Sequence, residues 1–106
     1  MSANSKANYQ ITTENKDLSL DSVKSIYASI GWGDSKDYDN EDLLIALKRA
    51  DAIYAAWDNN GTLLGFAKIF SDEVYHTYLA EIVVDTAWHG RGVGKAIMSK
   101  ILNDYA

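Results

Sequence analysis

Residues 81 to 95 read Glu81-Ile82-Val83-Val84-Asp85-Thr86-Ala87-Trp88-His89-Gly90-Arg91-Gly92-Val93-Gly94-Lys95, an apolar run that passes through alternate glycines into an amphipathic segment. This order dictates a strand, a sharp reversal and a helix in immediate succession. Glycine has no Cβ, so at 90, 92 and 94 the main chain can turn steeply and approach a ligand closely. The first N–H groups of the helix that follows have no intrahelical acceptor and lie at the positive end of its dipole. Such a turn is a main-chain anion site, and a diphosphate is its obvious occupant.

At 106 residues the chain is one domain with room for a single modest core. Apolar residues make up 47% and charged residues 24%, a balance that folds rather than remaining disordered. Fifteen acidic side chains against ten basic ones leave a net charge of −5, which argues against nucleic acid and anionic membranes as partners. The absence of cysteine excludes a disulfide framework and thiolate metal sites, and no metal is expected. Residues 1–8 are polar and read as a flexible tail ahead of a domain over 9–106. No run approaches the roughly 18 apolar residues of a membrane span, so the cytoplasm is the expected compartment.

Tyr9 to Thr13 alternates like a short edge strand. Leu20, Val23, Ile26, Tyr27 and Ile30 fall at helical spacing, opened by Ser19 or Asp21 and stopped by Gly31. Asn40 is placed to cap a second helix, with Leu43, Leu44 and Leu47 on one face and Lys48-Arg49 at its end. Between the two lies a polar loop anchored by Trp32. Ala52 to Trp57 and Leu63 to Phe70 flank Asp58-Asn59-Asn60-Gly61 and predict a hairpin, followed by a third strand from about Tyr75 to Val84. Short connections make the three an antiparallel meander. The last helix carries Val93, Ile97, Met98, Ile101, Leu102 and Tyr105 on the face expected to pack on the sheet.

Two phosphate-binding patterns fail on spacing. A P-loop needs glycine five residues before its Gly-Lys-Ser/Thr, where His89 stands, and Ala96 follows Lys95. A dinucleotide fingerprint needs glycine three after Gly92, where Lys95 stands. His89-Gly90-Arg91-Gly92-Val93-Gly94 resembles instead the acetyl-coenzyme A signature of the GNAT N-acetyltransferases, Arg/Gln-x-x-Gly-x-Gly/Ala, between their fourth strand and third helix. Gly92 and Gly94 fill the two glycine positions; His89 replaces the leading Arg or Gln, which touches one side-chain contact and leaves the backbone cradle. Tyr78 to Asp85, Ile30-Gly31-Trp32 and Leu64-Gly65-Phe66-Ala67 look like a small-amine acetyltransferase subgroup. The resemblance covers Tyr9 to Ala106. It implies an α+β, GNAT-like fold, C-terminally short, with an antiparallel central sheet flanked by helices.

The resemblance further implies an enzyme that moves acetyl from acetyl-CoA to a primary amine of a small molecule by direct attack on the thioester. Pantetheine would pair with Ile82, Val83 and Val84 as an added strand. The pyrophosphate would take the turn formed by His89, Gly90, Arg91, Gly92, Val93, Gly94 and Lys95. The Ile82 N–H would hold the oxyanion. An alkyl amine titrates near ~10, so a base or a desolvating site must remove its proton. Glu81 is the first candidate, a carboxylate set in an apolar strand. Strand alternation puts Tyr78, Ala80, Ile82 and Val84 on one face and Leu79, Glu81 and Val83 on the other, so Tyr78 replaces Glu81 if the thioester lies over the first face. His76 and His89 are weaker candidates. Trp32 is the tryptophan expected near an acceptor.

GNAT domains continue past this helix with a splayed fifth strand and further elements. The chain reads as a fragment of a longer enzyme, a naturally short member, or a protomer that completes its sheet with a second copy. The third account predicts a homodimer at the uncapped strand edge around Ile82. A catalytically incompetent coenzyme-binding or self-associating fragment is the alternative function.

Overall fold

The computed structural model describes residues 9–13 and 18–105; residues 1–8, where the tail was expected, and Ala106 lie outside them. The elements run β1 (Tyr9–Thr12), α1 (Leu20–Ser29), α2 (Asn40–Arg49), β2 (Ala52–Asp58), β3 (Leu63–Ser71), β4 (Thr77–Val84) and α3 (Val93–Tyr105), with 3-10 turns at Ser35–Asp37 and Thr86–Trp88. The fold is α+β, one antiparallel sheet in the order β1-β2-β3-β4 flanked by helices.

Ser19 opens α1, its hydroxyl oxygen accepting the Ser22 N–H at 3.3 Å. At the other end Gly31 adopts φ 81°, and the N–H groups of Gly31 and Trp32 return to the carbonyls of Ala28 (3.1 Å) and Tyr27 (2.8 Å). This Schellman closure folds the residue after the glycine back against the last turn of the helix. Trp32 is thereby laid on the Tyr27 ring, with centroids 5.6 Å apart.

Asp39, not Asn40, caps α2: its carboxylate accepts the Asp42 N–H at 3.1 Å, and Asn40 is the first helical residue. Either side chain can cap, but the carboxylate adds a negative charge at the positive end of the dipole. Leu43 and Leu47 bury, whereas Leu44 stays exposed, because a ten-residue helix resting on a sheet covers only one narrow stripe. The same narrowing applies to α3. Val93, Ile97 and Ile101 are buried, while Leu102 points to solvent.

The β2–β3 turn forms as expected, with the Asp58 carboxylate accepting the N–H groups of Asn60 (2.8 Å) and Thr62 (2.9 Å), and Gly61 at φ 82°. β4 starts at Thr77 rather than Tyr75. Asp72 gathers the N–H groups of Val74, Tyr75 and His76, each at 2.9 Å, and holds them in a turn that cannot join the ladder. Hydrogen bonds from these N–H groups keep the Asp72 carboxyl below its usual range.

A bulge then alters β4. Lys68 faces Glu81 and Ile69 faces Leu79, so Ala80 has no partner on β3. One extra residue moves the side chains beyond it to the opposite face. The uninterrupted alternation read from the sequence is therefore incorrect: Leu79 packs with Ile82 and Val84 on the α3 side, and Tyr78, opposite Phe70, shares the α1 side with Glu81 and Val83. The sheet separates two cores. Val23, Ile26, Tyr27, Leu43 and Leu47 pack on Ile53, Phe66 and Val83; α3 packs on Tyr54, Leu64, Ala67 and Ile69.

Candidate active site

β4 is an edge strand, and its last residues begin the site. The Asp85 N–H donates to the Leu64 carbonyl at 2.7 Å, which fixes the phase of the ladder. Alternate residues of an antiparallel pair bond inward, so Val83 bonds towards β3 while Ile82 and Val84 turn their N–H and C=O groups to the open edge. Beyond the strand Asp85 accepts the Ala87 N–H at 2.8 Å, and Thr86 is tied to α1 through the Ser29 hydroxyl (3.2 Å) and the Ser29 carbonyl.

Gly90 and Gly92 adopt φ 78° and 84°, a left-handed backbone that only glycine holds without strain. A Cβ added at either would meet nothing within 4 Å, so the space above the turn is open. The first main-chain bond of α3 runs from the Ala96 N–H to the Gly92 carbonyl at 2.9 Å, which leaves the N–H groups of Val93, Gly94 and Lys95 ahead of the ladder. Ile82, Val84, Trp88, His89, Gly90, Gly92, Val93, Gly94 and Lys95 line one cleft of about 450 Å³. It joins the open strand edge to the helix head. Among the charged side chains, the Arg91 guanidinium lies 4.7 Å over the Trp88 ring, and Trp88 is met edge-on by Tyr9 at 6.3 Å. The His89 ring turns back, its Nε2–H donating to the outward Val84 carbonyl at 2.7 Å.

On the opposite face of the sheet Glu81 is engaged at both oxygens. The Tyr27 hydroxyl donates to Oε1, and Lys68 Nζ lies 3.8 Å from Oε2. The Glu81 side chain is only 16% exposed. Tyr27 is 5% exposed, its ring enclosed by Trp32, Tyr38 at 5.1 Å and Phe66 at 6.0 Å. Burial first, and the Glu81 carboxylate second, push the Tyr27 hydroxyl far above the ordinary phenol range, so it remains a donor. Trp32 itself is 51% exposed and, with Tyr38, forms an aromatic shelf beside the carboxylate. The Tyr38 hydroxyl donates to the Trp32 carbonyl and fixes the shelf to its own loop.

Residues 18–106 match the family model described as the acetyltransferase (GNAT) family. The chain belongs to that family. It is 29% identical over 94 residues to the GCN5-related N-acetyltransferase 1, chloroplastic, of Arabidopsis thaliana, covering 88% of this chain and 45% of that protein. It is 26% identical over 93 residues to the uncharacterized N-acetyltransferase ycf52 of Pyropia yezoensis, covering 85% of this chain and 52% of that one. The chain thus spans about half the length of these curated GNAT relatives. Among solved structures, a GNAT family acetyltransferase of Streptococcus pneumoniae TIGR4 superposes with TM-score 0.70 at 22% identity, over 92% of this chain and 67% of that one. The ribosomal-protein-S18-alanine N-acetyltransferase of Escherichia coli gives TM-score 0.68 at 15% identity, over 92% of this chain and 59% of that one. At these identities the structures speak for the GNAT fold.

Within this GNAT fold the residues singled out from the sequence divide. Ile82, Val84, His89, Gly90, Gly92, Val93, Gly94 and Lys95 share the cleft, and Arg91 stands beside it on Trp88. Val83 does not face the cleft, being buried in the core under α1. Glu81 lies on that same side of the sheet. Tyr78 stands apart near the start of β4, 67% exposed. Tyr27 and Lys68 were not anticipated as site residues. Tyr27 carried only the periodicity of a core helix, but its position one helical turn before Ile30-Gly31-Trp32 is a readable sign that an aromatic pair would form there. Among the described residues no cluster of three or more His, Asp or Glu side chains could hold a metal ion, and no helix is long and apolar enough to cross a membrane.

Proposed function

We propose that this GNAT domain transfers acetyl from acetyl-CoA to the primary amine of a small molecule in the cytoplasm. One observation carries the reading: a single cleft joins the outward N–H and C=O groups of Ile82 and Val84 to the unpaired N–H groups at the head of α3. The residues fit the coenzyme. Open space above two left-handed glycines leaves room for a diphosphate against the main chain, and the open strand edge, whose Val84 carbonyl already accepts from His89, offers its other amide groups to a pantetheine arm. Acetyl-CoA supplies an activated thioester. The chain supplies the Ile82 N–H as a fixed dipole for developing negative charge and the Glu81 carboxylate, directly or through a water, as acceptor of the ammonium proton. An acidic domain favours cationic acceptors by steering.

A thiol-release assay with a panel of amines, run beside titration calorimetry with acetyl-CoA, tests this. Turnover with at least one amine is expected. Saturable binding with no turnover across the panel would reduce the chain to a coenzyme-binding module, and no binding would remove the site. The unpaired edge of β4 also supports a competing reading, self-association in which a second copy extends the sheet and takes the Ile82 and Val84 groups that pantetheine would use. Light scattering at micromolar concentration should then give a dimer; a single monomeric species counts against it.

A further inference from the structure

Glu81 is not a carboxylate that happens to lie near the reaction; three elements converge on it. Regular alternation with Val83 sets it on the α1 side, Lys68 reaches Oε2 from the neighbouring strand, and Tyr27 reaches Oε1 from a helix 54 positions away. Both oxygens are engaged on the protein side, so the carboxylate has few rotamers left. The Tyr27 ring cannot move either. Trp32 is stacked on it by the Gly31 closure, and Tyr38 and Phe66 cover it elsewhere. A hydroxyl on a ring so enclosed is a fixed donor, and a fixed donor aimed at an ionised oxygen forms a charge-assisted bond stronger than a neutral one.

We infer that Tyr27 is a positioning residue for transfer, holding the Glu81 carboxylate aimed, with Lys68 as the second and weaker hold. The inference rests on the reading of Glu81 as the base. Tyr27 itself touches no substrate; it acts through Glu81. Removing its hydroxyl while keeping its ring leaves the stack intact and frees one carboxylate oxygen. The loss should therefore appear in kcat and not in the KM for acetyl-CoA, which the other side of the sheet controls.

The test uses the 106-residue chain and its Tyr27→Phe, Glu81→Gln and double variants. Tyr27→Phe is expected to lower kcat about tenfold, a part of the roughly 10²–10⁴-fold that a positioned acid–base group supplies, with KM for acetyl-CoA unchanged. The double variant should be no slower than Glu81→Gln alone, because both act through one group. Losses that multiply, or full kcat in Tyr27→Phe beside a crippled Glu81→Gln, overturn the positioning role. Full kcat in Glu81→Gln overturns the base and the inference with it. Lys68→Gln, which leaves the α1 core untouched, provides a second probe and should cost less than Tyr27→Phe; a larger loss overturns the ranking of the two holds. A readout independent of turnover is the Tyr27 hydroxyl proton, expected as a resolved downfield NMR resonance that disappears in both single variants. Its absence from the unmodified chain overturns the bond on which the inference stands.

Discussion

The two sides of β4 present candidate sites built in opposite ways. On the α3 side the groups on offer are peptide hydrogens and carbonyls, supplied by one continuous stretch from Ile82 to Lys95 and shaped by glycine conformation. On the α1 side they are side chains, Tyr27, Lys68 and Glu81, drawn from a helix and two strands. A main-chain site tolerates most side-chain changes but not a misplaced Cβ. A side-chain site tolerates small backbone adjustments but not the loss of one partner. The difference teaches which substitutions should break which function.

The largest effect is expected at the turn. Gly92→Glu puts a side chain and a negative charge where the Cβ of residue 92 faces open space, on a backbone at φ 84° that costs an L-residue roughly 1–2 kcal/mol. Calorimetry should show acetyl-CoA affinity lost by more than roughly a hundredfold, about 3 kcal/mol. Far-UV circular dichroism should remain that of a folded chain. Unchanged affinity would mean the coenzyme lies elsewhere.

Next comes a change that should damage both sides at once. A Cβ at Gly65 would lie 2.6 Å from the Val83 carbonyl and 3.0 Å from the Val84 Cα, distances that backbone cannot relieve without moving β4. Gly65→Ala should cost about 1–3 kcal/mol in denaturant unfolding, as overpacking does, and should weaken coenzyme binding as well. If stability falls but affinity does not, the two sites are less tightly joined through β4 than the pairing implies.

The two sites were unequally legible for the same reason. The glycine turn is local: three alternate glycines after an apolar run announce it, and Gly90 and Gly92 occupy the conformations that reading requires. The Gly31 stop and the hairpin turn at Asp58 are local as well and stand where the sequence placed them, and the cap of α1 falls on Ser19, one of the two openings, Ser19 or Asp21, that the sequence offered. The Ala80 bulge is not local. Nothing in Tyr78 to Val84 marks an extra residue, because a bulge is a mismatch between two strands and is visible only when β3 is laid beside β4. Once it is missed, Tyr78 and Leu79 fall on the wrong faces. The bond from Tyr27 to Glu81 is non-local for another reason, since it joins side chains 54 positions apart. The outward turn of Leu44 and Leu102 is similar, since helix periodicity defines a face but not how wide a stripe the sheet covers.

A smaller effect separates the cores by pH. Tyr27 and Tyr54 are buried and donate to Glu81 and Asp104 respectively, and desolvation foremost raises both hydroxyls above the ordinary phenol range. In the unfolded chain tyrosine titrates near ~10. Above that pH the unfolded state releases protons that the folded state keeps, so stability is intact below pH ~10 and falls as pH rises through and beyond it. Tyr54→Phe should make the alkaline unfolding limb shallower by one proton and leave coenzyme affinity unchanged. Tyr27→Phe should flatten it equally while also slowing transfer. Identical kinetics in the two variants would erase the distinction between a structural and a site tyrosine.

Arg91 should matter least, and it defines how far the turn is a main-chain device. Its guanidinium is spent on the Trp88 ring at 4.7 Å, an exposed cation–π contact worth roughly 0.5–1 kcal/mol. It stands beside the cleft rather than lining it, so its contribution to an anion there is a screened, longer-range attraction. Arg91→Ala should therefore weaken acetyl-CoA by less than about tenfold, 1.4 kcal/mol, and the deficit should shrink as salt is raised from low ionic strength. A hundredfold loss that persists in high salt would show that the cation directly clamps the phosphates, and the contrast between a backbone site on one side of β4 and a side-chain site on the other would no longer hold.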